Sequence, residues 1–176
     1  MAKKETAGIL MYRLRNATIE VFLVHPGGPF WVKKDVGAWS IPKGEALKNE
    51  HRLDTARREF QEETGFAPEG NFVALAPVKQ AGGKLVYAWA VAGDCDAKAV
   101  ASNTFSMEWP PGSGKAREYP EVDRAEWFTM DVAREKILKG QLGFLEQLGQ
   151  LVEKDLADET GQSARSGLRY DRARHQ

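Results

Sequence analysis

The pattern of apolar and polar residues predicts four β-strands from four apolar runs. Two apolar runs rich in β-branched residues, 7–14 and 19–25, flank the polar turn residues 15–17, which predicts a β-hairpin. Two further runs, 71–80 and 84–92, are separated by a glycine-rich turn and predict a second pair of strands. The chain therefore begins as a sheet-forming sequence.

Two segments have helical periodicity instead. Residues 51–64 carry apolar side chains at intervals of three and four, and Gly65 after them suits a left-handed C-cap. A second stripe at helical spacing is formed by Leu145, Leu148, Val152 and Leu156. Because these apolar stripes need a surface to cover, both helices are expected to pack against other elements.

The rest of the chain predicts one domain followed by a tail. Residues 93–123 are interpreted as a long irregular loop, and 125–130 as a short strand. A short helix with Asp131 as its N-cap is expected next. From residue 161 the sequence becomes polar and basic, which favours a disordered tail over 161–176. The predicted domain therefore spans residues 1–160.

Composition narrows the class of protein. The 176 residues carry 25 Lys plus Arg and 25 Asp plus Glu, so electrostatics give little support for a nucleic-acid partner. The single cysteine, Cys95, rules out an internal disulfide framework. No run reaches the ~20 apolar residues that span a bilayer, and the N-terminus lacks a signal-peptide pattern. A cytoplasmic protein without a membrane partner, as a monomer or homodimer, is expected.

Three carboxylates cluster on the helix predicted at 51–64. Glu59 is three residues from Glu62 and four from Glu63, so their side chains share one helical face. Hard oxygen ligands favour Mg²⁺, Mn²⁺ or Ca²⁺ over zinc. The alternative is a solvated face in which Arg58 pairs with Glu62 at helical spacing. The helix alone does not decide between a metal site and a solvated face.

A wider motif surrounds this helix. Five residues separate Gly44 from Glu50, and seven more precede an uninterrupted segment: Arg58, Glu59, Phe60, Gln61, Glu62, Glu63, Thr64, Gly65 and Phe66. These positions match the box of the MutT-like Nudix hydrolase family, and the order of predicted elements over about 5–157 resembles its domain. The amino-acid sequence on either side of the box is similar to that of a bacterial subgroup of predicted nucleoside triphosphate pyrophosphohydrolases.

The resemblance implies an α/β (α+β) Nudix fold, with a mixed β-sheet sandwiched between helices. It also implies a Mg²⁺- or Mn²⁺-dependent hydrolase that cuts a phosphoanhydride bond in a nucleotide-type substrate. Two alternatives stay open: an ADP-ribose or sugar-nucleotide pyrophosphatase, and a non-catalytic nucleotide-binding module. RNA decapping is a third and weaker possibility.

Residue roles follow from the resemblance. Metal ligands would be Glu59, Glu62 and Glu63 together with the Gly44 carbonyl. Glu50 and Arg58 would brace the loop and orient the carboxylates. The general base is left among three residues, Glu63, Glu59 and the loop residue Glu121, whose position resembles that of a glutamate in the MutT branch.

Residues outside the helix are candidates for substrate binding. Lys43, in the sequence Pro42-Lys43-Gly44, has a positive charge that suits a substrate with extra phosphates. In the resemblance, ADP-ribose hydrolases typically have two glycines after the proline instead of lysine and glycine. Trp39 and Tyr87 are the preferred candidates for stacking on a base. They are chosen from six aromatic residues that could do so: Trp31, Trp39, Tyr87, Trp89, Phe105 and Trp109. For each aromatic residue, a place in the core is the competing interpretation.

Overall fold

The structure is a computed structural model that describes the backbone of residues 5–172 and the side chains of residues 5–162. Over this range nine strands and three α-helices follow in the order β1 (Thr6–Arg15), β2 (Thr18–Pro26), β3 (Lys43–Glu45), α1 (Arg52–Thr64), β4 (Val73–Ala74), β5 (Val78–Lys79), β6 (Leu85–Ala92), β7 (Thr104–Glu108), β8 (Ala116–Pro120), β9 (Val122–Thr129), α2 (Met130–Lys136) and α3 (Leu142–Arg172). The chain divides into two compact units after Leu145.

The predicted β-hairpin is confirmed. β1 and β2 pair antiparallel up to Arg15 opposite Thr18, so a two-residue turn joins them. Both turn residues have positive φ, 51° at Asn16 and 61° at Ala17. This turn geometry matches the right-handed twist of paired strands, and asparagine tolerates it well. Ala17 accepts a conformation in which glycine is more usual.

A mixed sheet forms the centre of the first unit. Its strand order is β4-β6-β1-β2-β9, with β3 paired to β1 and β5 paired to β6. β1 runs parallel to β6 and antiparallel to β2 and β3. The predicted α+β class with a mixed sheet is confirmed. Pairing with β1 makes Lys43-Gly44 part of a strand.

Two other predicted elements differ from the structure. The run 71–80 is not one strand, because the segment containing Pro77 separates β4 from β5 and proline has no N–H for a strand ladder. The stretch 93–123 contains the antiparallel hairpin β7–β8, which forms its own two-stranded sheet. β7 alternates exposed and half-buried residues, β8 is mostly exposed, and both lack the apolar runs that identify the other strands.

Helices α1 and α2 contact the sheet within this first unit. Ala56 and Phe60 of α1 are fully buried in one cluster with Ile9 and Phe22 of the sheet. Helix α2 contacts β2 and β9. Its N-cap is Thr129 rather than the predicted Asp131, which lies in the first turn. The exact terminal residue of a helix is set by local backbone geometry that periodicity does not specify.

The predicted C-cap of α1 is confirmed. Gly65 has φ 81°, and its N–H donates to the Gln61 carbonyl at 2.8 Å. Glycine adopts this left-handed conformation without a Cβ clash. The helix therefore ends directly after the last carboxylate of the box, and this fixes the length of the element that carries the site.

The predicted second helical stripe lies in α3, which continues to Arg172. The disordered tail expected over 161–176 stays a prediction; the backbone of 161–172 belongs to α3, and residues 173–176 lie outside the described range. No proline interrupts this stretch, and alanine, arginine and glutamine favour helix. The domain boundary at residue 160 stays a prediction. No helix among the described residues is long and apolar enough to cross a membrane.

Candidate active site

Arg58 brings together the carboxylates of the box. Its Nη1 donates to Glu59 Oε1 at 2.7 Å and to Glu62 Oε2 at 3.0 Å. Since residues 58, 59 and 62 are neighbours on one turn of α1, a single guanidinium reaches both acids. The solvated-face ion pair between Arg58 and Glu62 is therefore present, but as part of a larger network.

Glu50 completes this network from the loop before the helix. Arg58 Nε donates to Glu50 Oε1 at 2.8 Å, and Nη2 donates to Oε2 at 3.0 Å. Glu50 Oε2 also accepts from the Leu47 N–H and the Thr55 hydroxyl, both at 2.9 Å. Two parallel N–H···O bonds orient both planar groups. This geometry fits the bracing role expected for Glu50 and Arg58.

Strand β3 brings the loop backbone against the helix carboxylates. Lys43 donates its backbone N–H to Glu63 Oε2 at 3.2 Å. A Cβ at Gly44 would overlap the carboxylate of Glu59. Only glycine allows the backbone and this acid to approach so closely. The Gly44 position is therefore a cradle for the Glu59 carboxylate. This fits the expectation that the Gly44 carbonyl and Glu59 hold the same metal ion.

Glu121 reaches the same place from a distant part of the chain. A cavity of about 170 Å³ is lined by Lys43, Glu63 and Glu121 among its polar residues. The backbone of Glu121 is held on both sides, since its N–H donates to the Asn103 carbonyl at 2.8 Å and its carbonyl accepts from Gly27 at 3.0 Å. The structure thus places Glu63, Lys43 and Glu121 around one space.

The electrostatics of the site favour a cation. Burial raises the pKa of Glu63 to about 8, with the neighbouring Glu59 and Glu121 carboxylates adding to the rise and the Lys43 ammonium opposing it. Burial also raises the pKa of Glu59 and of Glu121. Burial lowers the pKa of Lys43, while Glu63 opposes that change. Carboxylates that resist ionisation in this way become good ligands once a divalent ion compensates their charge.

The residues present fit a magnesium or manganese ion. The donors are all hard oxygens, and the Gly44 cradle leaves room for the Glu59 carboxylate where a Cβ would exclude it. Among the described side chains, residues 5–162, no three His, Cys, Asp or Glu groups are already arranged as a metal-holding group. Arg58 Nη1 occupies the bridging position between Glu59 and Glu62, so those two acids are compensated by a guanidinium.

Neither of the two preferred aromatic candidates lines this cavity. Trp39 is 1% exposed, with its ring edge-on to Phe128 and its Nε1 donating to Asp35 at 2.8 Å. A fully buried ring offers no face to a ligand, so Trp39 does not fit the predicted stacking role. The ring of Tyr87 lies under the Arg52 guanidinium at 3.8 Å and lines a separate cavity. Its role in binding stays a prediction.

Sequence reasoning named Trp31 among six aromatic candidates without selecting it, and it missed the Glu45 carbonyl. Trp31 lines the cavity with Glu63 and Glu121, although it is one of several tryptophans without a motif around it. The Glu45 carbonyl accepts from Arg58 Nη2 at 3.0 Å. Backbone acceptors leave no signal in side-chain patterns, whereas the Trp31 position depends on how a loop folds back.

Comparison with models of known protein families shows which family this chain belongs to. The family model of the NUDIX domain matches residues 3–148. The chain belongs to the NUDIX family. The predicted membership is thereby confirmed, and so is the prediction of a hydrolase that acts on diphosphate bonds. No significant match was found among curated protein sequences.

Solved structures share this fold at low sequence identity. The NUDIX domain of Shewanella oneidensis NrtR, complexed with ADP ribose, superposes with a TM-score of 0.60 at 17% identity, covering 86% of this chain and 90% of that chain. The C. elegans Ap4A hydrolase in a binary complex gives 0.53 at 20% identity, with 90% and 98% covered. A mutT/nudix family protein from Listeria innocua gives 0.58 at 13% identity, with 89% and 98% covered.

Proposed function

We propose that this NUDIX protein is a Mg²⁺-dependent pyrophosphohydrolase that cleaves a phosphoanhydride bond in a nucleoside or dinucleoside polyphosphate. The observation that carries the proposal is the shared cavity of Glu63, Glu121 and Lys43 beside the Glu59–Glu62 pair. Glu59, Glu62 and Glu63 with the Gly44 carbonyl would hold the ion. When bound, Mg²⁺ neutralises phosphate charge and makes coordinated water more acidic.

The protein's own groups supply the remaining functions. Lys43 lines the cavity next to Glu63, where an ammonium group attracts the phosphates that flank the cleaved bond. A proton must leave the attacking water, and Glu63 and Glu121 both face this cavity. The raised pKa of each carboxyl makes it a stronger proton acceptor once ionised. Glu59 is held by Arg58 and is less suited to this role.

A second candidate is an ADP-ribose pyrophosphatase. The observation in its favour is the solved NUDIX domain of NrtR, which is complexed with ADP ribose. The single glycine after Lys43 favours a substrate with more phosphates. The C. elegans Ap4A hydrolase is the corresponding solved structure for the leading proposal.

A substrate panel with Mg²⁺ tests the proposal. The panel contains nucleoside triphosphates, diadenosine polyphosphates, ADP-ribose, sugar nucleotides and an inositol pyrophosphate, with products separated by ion-exchange chromatography. Cleavage of the first two classes is expected. Exclusive cleavage of ADP-ribose would select the second candidate, and tight binding without cleavage would indicate a non-catalytic module.

The Glu63→Gln variant tests the site directly. We expect its kcat to fall by about 100-fold or more, because a metal ligand and proton acceptor is replaced by a neutral amide. The matched control is Glu69→Gln, an exposed acid just beyond α1. Thermal unfolding of both variants shows whether they fold. Near-normal turnover in folded Glu63→Gln would contradict the assignment.

A further inference from the structure

The cavity beside the carboxylates has an aromatic wall. Trp31, in the loop between β2 and β3, lines it together with Glu63, Glu121 and Lys43. The Trp31 side chain is half-buried, whereas Trp39 is closed off in the core. Of these two tryptophans, only Trp31 offers a surface to a ligand in the cavity.

The loop that carries Trp31 is held in place from the sheet. Lys34 donates its N–H to the Trp31 carbonyl at 2.8 Å, and the Lys34 carbonyl lies 2.6 Å from Nε2 of His25, which is fully buried on β2. The Trp31 N–H donates to the Gly28 carbonyl at 3.3 Å. A ring fixed in this way loses little further entropy when a ligand binds.

The β7–β8 hairpin supports the same loop from its other side. Phe30 and Trp109 pack edge to face, with ring centroids 5.2 Å apart. A Cβ at Gly28 would lie 3.1 Å from Phe105 Cζ, so hairpin and loop are in close contact there. The segment predicted as an irregular loop is thus a structured support for the wall of the cavity.

We propose that Trp31 stacks on the base of the substrate and so determines that the substrate is a nucleotide. This inference rests on the proposed function and selects, within it, a heterocyclic base joined through a sugar to the cleaved diphosphate. A cavity of about 170 Å³ is smaller than the ~300–1,000 Å³ of most ligand sites. It therefore accommodates part of a substrate, such as a planar ring between the indole and the phosphate-binding groups.

The ring of Trp31 has the chemistry for this contact. The Lys34 Nζ lies 4.8 Å from its centroid, over one face. In the proposed contact the base stacks on the opposite face. Stacking on an aromatic ring accepts any base, since every base has a π face. An inositol pyrophosphate or inorganic tripolyphosphate has no such ring and gains nothing from the indole.

The test compares Trp31→Ala and Trp31→Phe with the control Val32→Ala, which shortens an exposed apolar side chain of the same loop that does not line the cavity. For the nucleotide that the wild type cleaves, we expect KM to rise by about 10-fold or more in Trp31→Ala. Trp31→Phe should recover much of this loss, and Val32→Ala should stay within about 3-fold of the wild type. KM for tripolyphosphate or an inositol pyrophosphate, where cleaved, should be unchanged in all three variants.

Equilibrium binding separates this inference from the proposed function. Calorimetry with a non-hydrolysable nucleoside triphosphate analogue and with tripolyphosphate, both with Mg²⁺, requires no turnover. We expect Trp31→Ala to weaken binding of the analogue alone. Equal affinities for the analogue in the wild type and Trp31→Ala, an equal loss in Val32→Ala, or no binding of the analogue by the wild type would each overturn the role of Trp31. A wild type that binds the analogue but cleaves no substrate would refute the proposed hydrolase and leave the stacking contact tested.

Discussion

Glu63 combines two properties that rarely occur in one carboxyl group. It is half-buried, and it lines one cavity with Lys43 and Glu121. Burial favours its neutral form, whereas a bound divalent cation favours the ionised form. Protons and metal ions therefore compete for the same oxygens, and the protonation of this one side chain links the pH to metal binding and to stability.

The pH dependence of stability without divalent ions follows from Glu63. Its pKa is about 8 in the folded state and about 4.5 when unfolded, so above pH 4.5 the unfolded state releases a proton that the folded state keeps. This group therefore destabilises the fold progressively as the pH rises towards 8, by at most about 1.4 kcal/mol per pH unit. Urea unfolding in EDTA should show Glu63→Gln gaining stability over the wild type between pH 5 and pH 8. A difference independent of pH would contradict the raised pKa.

The loop before α1 and the helix itself behave as one element, joined at Arg58. Its guanidinium binds Glu50, Glu59 and Glu62, and it also donates to the Glu45 carbonyl. A change at one end of this network is therefore transmitted to the carboxylates at the other. Two substitutions distinguish bracing of the loop from ligation of the ion.

Glu50→Gln should destabilise the protein by about 1–3 kcal/mol, because it removes the charge from a paired acid with four hydrogen bonds. Arg58 holds the pKa of Glu50 down at about 2, so its stabilisation is complete above pH 4.5 and is lost as the pH falls towards 2. Urea unfolding at pH 7 and pH 3 measures this loss. The control is Glu5→Gln, which breaks an exposed pair with Arg52 and should cost less than about 1 kcal/mol.

Gly44→Ala tests the close approach of strand and helix. The new methyl group would overlap the Glu59 carboxylate, so Glu59 must move and the affinity for Mg²⁺ should fall by about 10-fold or more. Titration of activity against Mg²⁺ measures this change. Gly161→Ala is the control, since a Cβ there meets no atom within 4 Å. An unchanged Mg²⁺ dependence in Gly44→Ala would exclude the cradle.

The candidate site belongs to one of the two compact units of the molecule. Every described residue of the candidate site lies in the unit before Leu145, and the family match ends at residue 148. The second unit contains most of α3 and carries none of the predicted site residues. The predicted site residues and most of the C-terminal helix α3 are therefore separate along the chain.

Removal of residues 161–176 should leave the kcat and KM for small substrates within about 2-fold of the full chain, because none of the predicted site residues belongs to that segment. Parallel kinetics on the full chain and on residues 1–160 check this. A collapse of activity in a folded truncated protein would show that the end of α3 supports the site. Loss of activity together with loss of thermal stability would assign it a role in folding instead.

The box could be predicted from sequence because it is local. Glu59, Glu62 and Glu63 lie within two helical turns, and the spacing to Glu50 and Gly44 is short, so linear order nearly determines which groups meet. The hairpin of β1 and β2 and the cap at Gly65 have the same local character. Periodicity and turn chemistry were sufficient for these elements.

The β7–β8 hairpin and the aromatic residues could not be predicted in this way. The hairpin strands have no apolar run, because they form a separate small sheet with mostly exposed residues. Trp31 and Trp39 look alike in sequence, yet one lines the cavity and the other is buried against Phe128. Burial of a given aromatic depends on which distant elements pack over it.

The family, the carboxylate helix and the class of chemistry therefore follow from residue order alone, since each depends on groups close together in the chain. The meeting of Glu121 with Glu63, the choice of Trp31 as the wall of the cavity and the enclosure of Trp39 depend on contacts across long sequence separations. Such contacts form only when the sheet and its loops are assembled, because no local pattern of residues encodes which distant backbone segments pack together.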